Sequence, residues 1–153
     1  MRPTVPYPYA ACAALAVAAA ALLFAALPAQ EPTQRAAPPL RSVVVRADSS
    51  RSERATATGR VRSVMDTVTA TFARLESHVT TLAPGQTPHA PHRHADEEVI
   101  VVLRGTLEVT QEGVTRRAGP GSLIFQASNE MHGLRNVGAD SASYYVIRAM
   151  ARP

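Results

Sequence analysis

His92, His94, Glu98 and His132 are the residues of this chain whose types and spacing could do chemistry. They fall in two stretches, PHRHADEEVIVVLRG and GSLIFQASNEMHGLRN, and they use three of the five histidines in the sequence. Imidazole nitrogens together with a carboxylate oxygen suit a borderline divalent cation. In an extended strand, residues i and i+2 share a face, so His92 and His94 can address one ion, and Glu98 keeps the same parity if no bulge intervenes. On this reading the strand is itself the chelate, and a second strand must bring His132 across to complete the set. The alternative is a solvated polar turn at PHAPHRH. Against it stand the apolar run at 99–103, which follows the cluster at once, and the strand character of the segment holding His132. A polar cluster leading into a buried strand is the pattern of a cavity mouth.

The elements that must position these residues read as strands. β-Branched residues and alternation predict strands at 61–65, 67–72, 75–82, 99–103, 106–110, 114–117, 123–125, 132–136 and 143–148. Ala83-Pro84-Gly85 turns the chain toward the histidines, and Gly119-Pro120-Gly121 marks a tight turn before the last third. Residues 42–46 are expected to form an early strand, paired with an outer sheet or a second subunit. Residues 48–59 are polar and read as a loop. No internal repeat is present.

Gly85, His92, His94, Glu98 and Gly105 resemble the first motif of the cupin superfamily, in which a glycine precedes a His-x-His pair, a glutamate and a closing glycine. Six residues separate Gly85 from His92 where the usual motif has five, which lengthens the opening loop and leaves His89 near the mouth. The second motif aligns on Gly121, His132 and Asn136. Ala127 and Asn129 stand at its proline and second glycine positions, and Asn tolerates left-handed backbone better than most residues. The resemblance spans roughly residues 60–151 and is to the small single-domain cupins. It implies an all-β, double-stranded β-helix, that is, a jelly roll of two sheets. It also implies that His92, His94, Glu98 and His132 bind one divalent metal ion, with the remaining coordination positions open to water or substrate. Iron, manganese, nickel, zinc or copper all satisfy three imidazoles and a carboxylate. The fold hosts dioxygenases, isomerases, decarboxylases, hydrolases and binding modules, so it does not name a reaction.

Neighbouring polar residues fall into separate groups. Glu97 has the opposite parity to Glu98 and is expected at the surface. His89 is either a substrate-contacting group or an exposed loop histidine, and His78 reads as structural or exposed. Arg135 and Arg148 would hold an anionic substrate if they faced the cavity, which parity leaves open. Tyr144 and Tyr145 must point to opposite faces, one of them into the core. For a dedicated acid or base the sequence offers His89, Glu97 and Glu130.

Composition bounds the rest. With 153 residues, 46% of them hydrophobic, there is room for one core of ordinary size. The formal charge of +4 sits outside the barrel: residues 74–152 hold eight Arg against eight acids, and residues 30–70 hold seven Arg against four. A neutral domain with a basic N-terminal segment and few aromatics is no nucleic-acid reader. The absence of lysine excludes Schiff-base catalysis by a lysine side chain, and Cys12 is the single cysteine. Residues 10–27 carry no charge, follow Arg2 and precede Pro28-Ala29-Gln30, which reads as an export signal cleaved after Ala29. Eleven alanines among those eighteen residues make the segment only weakly lipophilic, and an uncleaved membrane anchor is the alternative. The expected organisation is a signal or anchor helix over 1–29, a disordered linker and arm over 30–59, and the barrel over 60–153. Cleavage leaves a mature chain without cysteine, which removes thiolate chemistry. The product is expected in the periplasm or secreted, as a homodimer that covers open sheet edges. It would be a metal-dependent enzyme acting on a small polar molecule or, alternatively, a binding or sensing module. A metal-free structural barrel is disfavoured by the complete ligand set.

Overall fold

The computed structural model describes residues 38–48 and 52–152, and the export signal or anchor expected at 1–29 lies outside these. The described residues form nine strands and no helix: β1 (Glu53–Thr56), β2 (Gly59–Thr67), β3 (Phe72–Leu82), β4 (Glu97–Arg104), β5 (Leu107–Gln111), β6 (Val114–Ala118), β7 (Leu123–Gln126), β8 (His132–Asn136) and β9 (Ala142–Ala151). They assemble into a six-stranded sheet of order β1-β2-β3-β9-β4-β7 and a three-stranded sheet of order β6-β5-β8, all neighbours antiparallel. This is the two-sheet jelly roll that the resemblance implies, built from strands that the alternation predicts.

The core lies between the sheets because each strand turns one face inward. Ile100 and Leu107 are wholly buried, one from each sheet, and pack in one cluster with Leu82, Val102, Val109, Ile124, Leu134, Tyr144 and Val146. Burying an aliphatic side chain of this kind contributes about 1.5–3 kcal/mol. The register of the larger sheet then sorts its inner face into rows. Glu76, Arg148, Glu98 and Gln126 stand side by side across β3, β9, β4 and β7. The next row is His78, Val146, Ile100 and Ile124, and beyond it Thr80, Tyr144 and Val102. One end of the barrel is therefore polar and the interior apolar.

Several local expectations change. Residues 42–46 form no strand; they run exposed, and nearby Leu40 donates its N–H to the Val68 carbonyl at 2.9 Å. A strand, β1, appears instead within the stretch read as loop, because Arg60 and Val61 offer an edge that its backbone can pair with. The strand expected at 67–72 does not form: Thr67 ends β2, Phe72 opens β3, and 68–71 are the turn between them, held by Thr69 Oγ1, which accepts from the N–H groups of Phe72 at 2.9 Å and Thr71 at 3.2 Å.

Two motif positions explain themselves. Gly105 has φ +83°, and a Cβ there would sit 2.6 Å from Ala142 Cα, so no larger residue fits. Asn129 adopts φ +62°, the left-handed turn conformation anticipated for it.

Candidate metal centre

The first histidine is fixed by an isolated antiparallel bridge between the two motifs. His92 N–H donates to the His132 carbonyl at 3.0 Å, and His132 N–H returns the bond at 2.9 Å. His94 is held by the 127–131 loop: Asn129 N–H donates to the His94 carbonyl at 2.8 Å and Ser128 Oγ to the Ala95 carbonyl at 2.8 Å. Strand parity alone does not bring these side chains together. The regular strand begins only at Glu97, and a bend at 95–96 separates it from His94. The histidines converge because of backbone bonds to the second motif rather than because one pleated strand carries all three ligands.

They do converge. Ligand atoms of His92, His94 and His132 lie within 4.8 Å of one another, and among the described residues this is the one cluster of its kind. Their ring nitrogens are prepared for a cation. His94 Nδ1 lies 2.9 Å from the Asp96 carbonyl and His132 Nδ1 2.9 Å from the Glu130 carbonyl. A carbonyl only accepts, so both Nδ1 atoms carry the proton and both Nε2 atoms present lone pairs. Those two Nε2 atoms, and His92 Nδ1, are buried without a hydrogen-bond partner. Leaving three buried polar nitrogens unsatisfied is costly, and a shared cation satisfies all of them. The donor set thus fits a borderline divalent ion.

Glu98 is adjacent but not equivalent. Its Oε2 lies 3.6 Å from His94 Nε2 and 3.9 Å from Arg148 Nε, and its side chain is only 13% exposed. Glu97 is exposed, as parity anticipated, and so is Glu130. His89 sits exposed at the mouth, its ring edge-on to His92 with centroids 4.2 Å apart. Arg135 points away from the centre, exposed, and donates through Nε to the Gly85 carbonyl at 3.1 Å.

Above the histidines lies a cavity of about 280 Å³ lined by His78, Thr80, Ile100, Leu134, Tyr144 and Arg148, among others. His78 was expected to be structural or exposed; it is instead a cavity residue, with Nδ1 2.7 Å from Glu76 Oε1 and both side chains largely buried. Asp96 was not singled out at all. It is 3% exposed and binds Arg148 at 2.6 Å. The signal for Arg148 was available, because the buried alternation Ala142, Tyr144, Val146 carries it to the inner face. Nothing local distinguishes Asp96 within its run of three acids. Tyr144 is the core tyrosine, its phenol pushed up chiefly by burial and opposed by a hydrogen bond with Thr80, while Tyr145 stands on the opposite face.

Burial, followed by the neighbouring His89, His132 and His94, pushes the His92 imidazole down to about 4. The unfolded chain binds this proton below about 6.5, whereas the folded chain does so only below about 4, so between those values unfolding takes up protons. Stability of the metal-free protein is accordingly expected to decline as pH falls from about 6.5 to about 4 and to level off below. Urea unfolding at several pH values tests this. His92→Asn should flatten that part of the profile, and an unchanged slope in the variant would assign it to other groups.

Residues 78–148 match the family model of the cupin domain, which covers both motifs. The chain carries a cupin domain over these residues, and its barrel is a cupin jelly roll. Similar solved structures include an RmlC-like cupin from Shewanella frigidimarina, at 16% identity over 69% of this chain and 88% of that one, TM-score 0.56. The cupin domain of Cnp3 from Schizosaccharomyces pombe matches at 14% identity over 59% of this chain and 64% of that one, TM-score 0.51. A conserved protein of unknown function from Streptococcus pyogenes matches at 20% identity over 61% and 75%, TM-score 0.51. At these identities the likeness is one of fold. No curated protein matches in sequence.

Proposed function

We propose that this cupin holds one divalent metal ion through His92, His94, His132 and Glu98 and uses it as an enzyme on a small polar molecule, of oxygenase, isomerase or hydrolase type. The three buried, unpartnered ring nitrogens carry this reading. A bound divalent ion supplies Lewis acidity or, if redox-active, oxygen activation at its open positions. The chain's own contribution is to fix the tautomers of His94 and His132 through backbone carbonyls and to enclose the ligand between apolar walls.

Catalysis is favoured over passive binding by His78. Glu76 holds its Nδ1 while the ring lines the same cavity as His92 and His132, which suits a group that takes or returns a ligand proton. The test is elemental analysis of natively purified protein followed by a substrate screen with that metal loaded. We expect one equivalent of a borderline metal, and for any substrate found, His78→Asn should retain the metal and lose about 100-fold or more in turnover. Purification without a transition metal from a metal-replete host would sink the metal assignment. Full turnover in His78→Asn would return His78 to a structural role.

The reading extends to an exported homodimer. Export rests on the uncharged stretch at 10–27 and the Pro28-Ala29 boundary, and N-terminal sequencing of protein from its host should begin near Gln30. Dimerisation is supported by edge strand β7, whose Leu123 and Phe125 are 67% and 48% exposed. Light scattering should give twice the chain mass; a monomer at micromolar concentration contradicts it.

A further inference from the structure

We infer that the ligand taken by the cavity is a small organic acid with an apolar body, its carboxylate received by Arg148 and Arg54. The inference rests on the reading of this cavity as the ligand site beside the metal centre.

Charge points to an anion. Among the described residues lining the cavity, Glu98 is the one carboxylate, against the guanidinium groups of Arg54 and Arg148. Glu98 is directed to His94 Nε2 at 3.6 Å, and a cation held by the histidines would absorb its charge. Asp96 binds Arg148 from behind, outside the cavity lining, through one terminal nitrogen at 2.6 Å. This anchors the guanidinium without using its Nε, which is buried, comes no nearer than 3.9 Å to Glu98 Oε2 and lacks a hydrogen-bond partner. A buried cationic N–H left unmade is expensive, and a ligand oxygen is the acceptor that would satisfy it. Arg54 enters from β1 and makes no ion pair among the described residues, so it adds uncompensated positive charge on another wall.

The remaining lining selects the body of the ligand. Leu82, Ile100, Leu134 and Val146 form an apolar floor, and Thr80 and Tyr144 line the cavity beside them. About 280 Å³ is roughly nine water volumes, enough for an aliphatic or single-ring acid and too little for a nucleotide or a disaccharide. Polar groups at the histidine end and on the Arg54 wall flank this apolar floor, and a short acid with an apolar body can meet both.

The experiment titrates the purified full chain, with and without one equivalent of zinc, by calorimetry. The probes are acetate, benzoate and 2-oxobutanoate, each against its neutral amide. At least one acid should bind tenfold or more tightly than its amide in both states, because the arginines act without the ion. Arg54→Gln, an exposed position, should cut that preference about threefold. Arg148→Met combined with Asp96→Asn removes the cation together with the carboxylate bonded to it and should abolish the preference. Equal affinity for every acid and its amide overturns the inference, as does an unchanged preference in both variants. A preference that appears only with zinc also overturns it, since the ion alone would then be the anion receptor. Failure to bind zinc, read from the same samples by elemental analysis, counts against the metal centre and not against the arginine site.

Discussion

Replacing His132 with alanine is expected to weaken metal binding by 100-fold or more, so that the purified variant carries less than a tenth of the wild-type metal. Altering the groups around a ligand already costs 10–100-fold in metal affinity, and deleting a ligand removes more. His132 is 4% exposed, its Nδ1 proton is committed to the Glu130 carbonyl, and its Nε2 has no partner, so the side chain has no other evident task than ligation. The backbone bridge to His92 does not involve the ring and should survive the substitution. His94→Ala should behave alike. His89→Ala, at the exposed mouth, should keep its metal. Metal quantified across the series by elemental analysis decides the matter: stoichiometric metal in His132→Ala would reduce the second motif to a resemblance, and loss in His89→Ala would move the site into the loop.

Asn136→Ala is expected to cost about 3–5 kcal/mol of stability, a large part of the roughly 5–15 kcal/mol that holds a domain of this size together. Asn136 is wholly buried at the end of β8, and its side-chain amide is fully used. Nδ2 donates to the carbonyls of Leu82 at 3.2 Å, Ala83 at 3.1 Å and Asp140 at 2.8 Å, while Oδ1 accepts from Gly138 N–H at 3.0 Å. One side chain thus staples the end of β3, the β8–β9 turn and the approach to the histidine loop. Alanine takes the partner from the buried Leu82 carbonyl and the Gly138 N–H and loosens the Ala83 and Asp140 contacts, and each stranded group costs about 1–3 kcal/mol where water cannot replace the partner. Urea unfolding at neutral pH measures the loss. A change below about 1 kcal/mol would mean that water reaches these carbonyls and the staple carries little.

Much of this molecule was legible locally. The two-residue alternation of β3, β4 and β9 follows from the pleat, which is set by covalent geometry, and it put Tyr144 and Tyr145 on opposite faces before any partner strand was known. The donor types at 92, 94 and 132 likewise pointed to a group that could hold a metal ion, because ligand chemistry belongs to the side chain. The left-handed turn at Asn129 was readable for the same reason: few residues other than Gly tolerate φ near +60°.

What the sequence could not decide depends on which segments meet. His92 and His94 precede the regular strand, and their convergence with His132 comes from backbone bonds to residues 128–132, partners more than thirty positions away. Local periodicity carries no information about such bonds, so the three histidines meet for a reason other than strand parity. The early strand was misplaced from 53–56 to 42–46 because apolar content signals strand propensity, whereas pairing depends on an available edge, and that edge belongs to β2. Asp96, Arg148 and His78 gained their roles in the same way. The cross-strand register sets Glu76, Arg148 and Glu98 in one row with His78 in the next, and burial then forces each charge to find a partner. The sequence by itself determined the chemistry available and the faces of the strands; only the tertiary structure decided which of those groups share one cavity, because long-range register, unlike the pleat, is fixed by contacts that no local window contains.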